Sequence, residues 1–452
     1  MDKSSDLRKR CHINTNEEGD RFVGVKADTE DAVVYFPVGY QLPEDDTELK
    51  RDILHLFRVL SEFTNVSDEV MSMKKFEAPQ SVDFPINAYL EIINYYMDCG
   101  YYMEREPIFK TSDRGNIDWA RTIQRQPALI QANLTPVYTQ YTVRESAPNK
   151  NKEITLIHTY CVYESFDKLG WLFTPYMPPK PNGLLDVKRF ITIIMDKLGH
   201  TNNDKDKRLF KSMWQMLKYM DDRTTEKQFY FGTDYFEGVW ERLIDRIFGI
   251  KNKQDYFPRT RWLLQGGKHK EKYPLEPDSI MILDDKIYVL DAKYYRYGVS
   301  GNPNHLPDSS SINKQITYGE FIYNQQHIPD GKLFNAFLMP YNSAKNLFEL
   351  NEPFGNIGVA IGDWNQSTFN YEKIHGIVVD TRYLMYHYTG NPKNSIIALA
   401  RSIEDAVAAN DGLIPETIIT DDSMIYNISN QEKLARVAES TVPYEVKTNS
   451  EN

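Results

Sequence analysis

The stretch YPLEPDSIMILDDKIYVLDAKYYRYG, residues 273–298, holds residues of the types that metal-assisted hydrolysis of a phosphate ester requires. Two apolar runs, SIMIL and KIYVL, flank Asp284 and Asp285. A two-residue turn there predicts a tight hairpin in which Leu283 faces Lys286. Counting outward, Asp278 faces Asp291, and alternation puts Lys293 on the same face as Asp291. Two opposed carboxylates repel, and a divalent cation removes that penalty. Mg²⁺ suits such a site, held by one or two carboxylates with water and phosphate oxygens. Asp278 and Asp291 are therefore the expected metal ligands. Lys293 is expected to position the attacking water or to neutralise developing charge.

Helical periodicity in YFEGVWERLIDRIFG, residues 235–249, gives an apolar stripe with Glu237 and Glu241 one turn apart at its margin. Either glutamate is a candidate extra ligand, and a solvated helix face is the alternative for both. Between this helix and the hairpin, residues 251–272 carry seven Lys and Arg against only Asp255 and Glu271. Lys251, Lys253, Arg259, Arg261, Lys268 and Lys270 are candidate phosphate contacts, against the alternative of a solvated basic loop. SSSINKQITYGEFIYNQQ, residues 309–326, predicts a helix capped by one of its serines, with Gln315 and Tyr318 placed to line a nucleic-acid path. In RGNIDWARTI, Arg114 and Arg121 are further candidate phosphate contacts.

These elements need a frame. The chain has 452 residues with 41% apolar and 26% charged residues, the composition of a globular protein of two or three domains. Its net charge of −11 argues against a protein that coats nucleic acid along its whole surface, and leaves room for a local basic patch. Three scattered cysteines, Cys11, Cys99 and Cys161, form no metal-like spacing and suggest a reducing compartment. The first residues lack an apolar signal core and no apolar run reaches membrane-spanning length. The expectation is a soluble, cytoplasmic protein.

Residues 22–42 read as a β-hairpin turning near Asp28–Asp31, and residues 46–76 as a helix. A linker is marked by Pro79 and Pro85. An amphipathic helix over 86–100 ends at Gly100. TPVYTQYTV (135–143) and EITLIHTYCVY (153–163) read as a second hairpin, and helices are expected over 184–198 and 205–221. From 228 to 390, alternating strands and helices indicate an α/β sheet, closed by a helix over 395–409. Four regions follow: 1–80, a hairpin and helix; 81–225, an α+β region for recognition or partner contact; 226–400, the catalytic α/β domain; and 401–452, an acidic and partly disordered segment.

The sequence Pro277-Asp278, followed after twelve residues by Asp291-Ala292-Lys293, resembles the PD-(D/E)XK nuclease superfamily. With it, VGVKADTEDAVVYFPVGYQL, RGNIDWARTI, FEGVWE, EPDSIMILDDKIYVLDAKYY and KQITYGEF resemble, in order and over about 300 residues, the LlaJI family of restriction endonucleases. The resemblance implies a PD-(D/E)XK core, a mixed β-sheet flanked by helices, behind an α+β N-terminal region. It implies Mg²⁺-dependent cutting of double-stranded DNA at a short specific sequence. Asp278 and Asp291 would be the metal ligands, Lys293 the catalytic lysine, and Glu237 or Glu241 the helical acid. The sequence departs from related nucleases in spacing Gln315 and Tyr318 three apart rather than four.

The family also resembles nuclease subunits that act with a separate nucleotide-hydrolysing partner. This chain has no G-x-x-x-x-G-K-[ST] loop, so such a partner would be another subunit. A double-strand cut needs two active sites or two events, which makes a homodimer an expectation to test. The competing readings are another PD-(D/E)XK nuclease of repair or defence, a catalytically silent DNA-binding subunit, and a protein with no nucleic-acid role.

Overall fold

The structure is a computed structural model. It describes residues 7–27, 32–64, 84–174, 176–181, 186–222, 229–345, 347–350, 352–364, 369–410, 417–419 and 425–427. The turn expected near Asp28–Asp31, Pro79 of the linker and most of the acidic C-terminal segment lie outside these residues.

The fold is mixed α/β, with several sheets and many helices. The chain forms two compact units. One comprises Met1–Cys11, Gly24–Val34 and Glu44–Thr233, and the other His12–Val23, Tyr35–Pro43 and Asp234–Asn452. The second unit thus includes two short N-terminal segments that a simple division of the chain would assign elsewhere.

In the first unit the helices Asp46–Thr64, Ile86–Cys99, Val187–His200 and Asp204–Asp222 form where helices were expected, and residues 65–76 of the first expected helix lie outside the described residues. Gly100 ends the second of them at φ 72°, a conformation that glycine adopts without a Cβ clash. The expected hairpin between residues 135 and 163 does not form. Tyr141–Pro148 instead pairs antiparallel with Arg105–Ser112, and Glu153–Leu169 is a helix. The β-branched residues of 153–163 suggested a strand. However, Ile154, Ile157, Cys161, Val162, Phe166 and Leu169 fall at helical spacing and are all buried, so packing overrides propensity.

The second unit is built on a five-stranded sheet. In chain order its strands are β1 (Ser279–Leu283), β2 (Lys286–Ala292), β3 (Leu333–Tyr341), β4 (Phe354–Ala360) and β5 (Ile374–Asp380). The spatial order is β1-β2-β3-β5-β4. The β2-β3 and β3-β5 pairs are parallel, and the two outer pairs antiparallel. Every residue of β3 is buried, as expected for a central strand covered on both faces.

Three helices matter to the site: α1 (Phe236–Phe248), α2 (Ser309–Gln326) and α3 (Lys393–Asn410). The apolar stripe of α1, from Phe236 through Phe248, is buried as its periodicity predicts. Tyr318 and Ile322 of α2 pack on Ile280, Ile287 and Val289, the face of the hairpin that carries odd-numbered β2 residues. Gly319 lets α2 lie close to β3, because a Cβ there would sit 2.6 Å from Asn335 Nδ2. On the opposite face Lys286 Nζ is 2.6 Å from Glu404 of α3, which also bonds the Tyr288 hydroxyl. The cap of α2 is Asp308, whose side chain accepts from the Ser311 N–H, rather than a serine. Ionised carboxylates accept such bonds more strongly than hydroxyls.

Among the described residues, no helix is long and apolar enough to cross a membrane.

Candidate active site

The β1–β2 hairpin has the register predicted from its turn. Leu283 pairs with Lys286, and the ladder runs outward to Ser279 opposite Leu290. Asp284 takes the positive-φ turn position at 54°. The ladder ends one residue before Asp278 and Asp291, and there side-chain bonds replace it. The Lys293 N–H bonds Leu338 O of β3 at 2.9 Å, so the Ala292 N–H points the other way, towards β1. No β1 carbonyl lies opposite it, and Asp278 Oδ2 accepts that N–H at 2.9 Å. This anchors the Asp278 carboxyl beside Asp291.

Asp291 is only 3% exposed, and Lys293 Nζ lies 2.7 Å from its Oδ2. Burial and the charges of Asp291 and Glu241 push the Asp278 carboxyl up to about 8. Desolvation lowers the Lys293 ammonium, but the Asp291 carboxylate outweighs it and the net shift is upward. Lys293 therefore stays cationic at neutral pH. Its ammonium also lies 5.7 Å from the centre of the Phe337 ring.

The surrounding shell fixes this arrangement. Lys253 Nζ bonds Asp245 Oδ1 at 2.9 Å and the Asp278 carbonyl at 2.6 Å. Ser279 Oγ also donates to Asp245, at 2.9 Å. The Tyr318 hydroxyl donates to Glu276 O at 3.0 Å. Together these bonds hold the strand that enters β1 from both sides of Asp278.

Lys293, Glu237 and Glu241 line a cavity of about 440 Å³. It is also lined by Asn16, Arg21, Arg296 and His305. Asn16 is tied in by a 3.1 Å bond from its amide to Tyr294 O. Asn16 and Arg21 were not legible as site residues, since they lie some 270 positions before Lys293 and carry no motif.

Once Asp278 loses its proton, two carboxylates face one lysine and a negative charge is left uncompensated, and their oxygens are hard donors. Among the described residues no group of three or more His, Cys, Asp or Glu is placed to hold a metal ion. Asp278 and Asp291 are the residues that could hold a hard divalent cation whose remaining shell is water and substrate oxygen.

The remaining candidates separate. Lys253 is committed to Asp245 and Asp278, a structural tie rather than a free phosphate contact. Gln315 is 1% exposed and donates to Val289 O at 2.9 Å, so it faces the sheet and not a nucleic-acid path. Its apolar-face position on α2, one turn before Gly319, accounts for that burial. Lys251, Arg259, Arg261, Lys268 and Lys270 are exposed. Arg114 and Arg121 lie in the first unit, away from the residues of this site in the chain. Arg114 is exposed, whereas Arg121 bonds Asp118 at 2.8 Å and stacks 3.5 Å over Phe109.

Comparison with known proteins supplies the family. One curated relative is the Type II restriction enzyme BsuMI component YdjA of Bacillus subtilis (strain 168). It is 24% identical over 310 residues, which cover 63% of this chain and 64% of that protein. The chain thus matches less than two thirds of that relative's length. Among solved structures, the refined half-complex from the tetradecameric assembly of Thermococcus gammatolerans McrB AAA+ hexamers with bound McrC aligns at 14% identity. It covers 85% of this chain and 83% of that one, with a TM-score of 0.34, too low to support any argument. The family model of the LlaJI restriction endonuclease matches residues 22–361, and the chain belongs to that family.

Proposed function

We propose that the protein is a PD-(D/E)XK endonuclease that cuts double-stranded DNA at a specific short sequence, by Mg²⁺-dependent hydrolysis. The observation that carries this reading is the end of the β1–β2 hairpin. There the buried Asp291 meets the half-buried Asp278, and a lysine ammonium stands 2.7 Å from Asp291. In a restriction endonuclease family, that set has the composition that phosphodiester hydrolysis needs.

Asp278 and Asp291 would hold the cation. When bound, Mg²⁺ supplies Lewis acidity and lowers the pKa of coordinated water. Lys293, cationic and fixed by Asp291, is placed to orient the attacking water or to offset charge gathering on the phosphoryl oxygens. The water oxygen forms the new bond to phosphorus, the bond to the leaving sugar oxygen breaks, and that oxygen takes up a proton. Glu241, whose charge already reaches Asp278, is the better placed of the two helical acids. The relative described as a component of a restriction enzyme supports a further expectation, that a second subunit joins this chain in the working complex.

The test is cleavage of a plasmid and phage DNA panel with Mg²⁺ by the wild type, Asp291→Ala and Lys293→Ala. Discrete fragments from the wild type alone, abolished by EDTA, are expected. The two substitutions should slow cutting by roughly a thousandfold. Equal cutting by all three proteins would mean that another site does the chemistry.

A further inference from the structure

Just before β1 the chain makes a second hairpin, Arg261–Leu263 paired antiparallel with His269–Glu271. Arg261 faces Glu271, Trp262 faces Lys270, and Leu263 faces His269. Two further bonds extend the ribbon, Leu264 N to Lys268 O at 2.7 Å and Lys272 N to Thr260 O at 2.9 Å. The tip turns through Gly266 and Gly267, both at positive φ.

Alternation along this register sorts the side chains. One face carries Trp262 and Leu264 with Lys268, Lys270 and Lys272. The other carries Arg261 and Glu271, whose charges offset each other, with Leu263 and His269. All of these residues are exposed, and Trp262 is 62% exposed. A face of charge +3 therefore stands out from a chain whose net charge is −11. Water alone gives no reason to collect three lysines on one side of a ribbon and to leave an indole among them.

We propose that this ribbon enters a groove of duplex DNA with its lysine face towards the phosphates, and so helps to place the substrate at Asp278 and Lys293. The inference rests on the nuclease reading above. Its charge is complementary to a polyanion. Its width is that of two strands roughly 4.8 Å apart, which a major groove about 12 Å wide admits. Its base runs straight into the site. Leu275 N bonds Pro258 O at 2.8 Å, three residues before Asp278. Lys272 is six residues from Asp278, a reach of at most about 20 Å. Trp262 and Leu264 would meet sugars and base edges between the phosphate contacts.

The experiment is binding of the wild type to a labelled 30-base-pair duplex in EDTA, over a range of salt concentrations. It is repeated with the triple variant Lys268→Ala/Lys270→Ala/Lys272→Ala, with the triple arginine variant and with Trp262→Ala. The triple alanine variant should bind at least tenfold more weakly. Its salt slope should be shallower by about 2.7, or 0.9 for each lost phosphate contact. Arginine at the three positions should restore the slope. Trp262→Ala should weaken binding and leave the slope unchanged. Wild-type affinity and slope in the alanine variant would overturn the ribbon proposal while leaving the nuclease reading intact, and would turn this face to a protein partner. Failure of the wild type itself to bind DNA would overturn both. Because the ribbon buries none of these side chains, unchanged melting of the variants separates lost contacts from lost folding.

Discussion

Two hairpins follow one another in this chain, and their charged residues behave in opposite ways. In the β1–β2 hairpin, Ile280, Met281 and Ile287–Leu290 are buried and the strand pair is part of a five-stranded sheet. Each such apolar side chain contributes about 1.5–3 kcal/mol to folding. That stability carries the cost of placing Asp278 and Asp291 together out of water. In the 261–271 ribbon no side chain is buried, and an isolated pair of strands is marginal by itself. Its charges are solvated and act through their field, which salt screens. Packing takes water from the charges of the first hairpin and leaves those of the ribbon wet, which suits the first to chemistry and the second to steering.

The contrast breaks first at Asp278. Its carboxyl is about 8 in the folded protein against an ordinary value near 4. As pH rises from about 4 to 8, the unfolded chain loses this proton while the folded chain keeps it, so stability falls across that window. Asp278→Asn should therefore melt several degrees above the wild type at pH 8 without divalent cation, while losing activity. Mg²⁺ should raise the wild-type melting temperature and leave that of the variant unmoved. A lower melting temperature for the variant at pH 8 would show that the carboxyl is not strained by its surroundings.

A smaller effect is expected at Lys253, which joins Asp245 to the Asp278 carbonyl from a half-buried position. Lys253→Met should cost about 1–2 kcal/mol in chemical denaturation. It should also slow cutting roughly tenfold by loosening Asp278, with DNA affinity and its salt slope unchanged. A reduced slope would instead make Lys253 a phosphate contact, as the sequence alone suggested.

The smallest effect belongs to the turn. Asp284 holds φ 54°, where glycine is favoured, so Asp284→Gly should stabilise by a few tenths to about 1 kcal/mol without changing cleavage. Loss of activity there would mean that the turn sets the register of the site, rather than following from it.

Much of the site was legible because it is local. Alternation and a two-residue turn determine which side chains of one hairpin face each other, and that placed Asp278, Asp291 and Lys293 together before any tertiary contact was known. Helical periodicity likewise determined the buried stripe of α1. What lay beyond was long-range. Residues 153–163 form a helix because their apolar stripe finds a core, which no local preference revealed. Gln315 is a polar residue on a polar-looking helix, and only the packing of α2 on the sheet buries it. The cavity beside Lys293 takes Asn16 and Arg21 from a segment some 270 residues earlier in the chain. Short-range geometry is set by the backbone and so is written in the order of residues. Burial, and with it the pKa of Asp278 and the enclosure of the site, depends on which distant surfaces exclude water, and only the tertiary structure decides that.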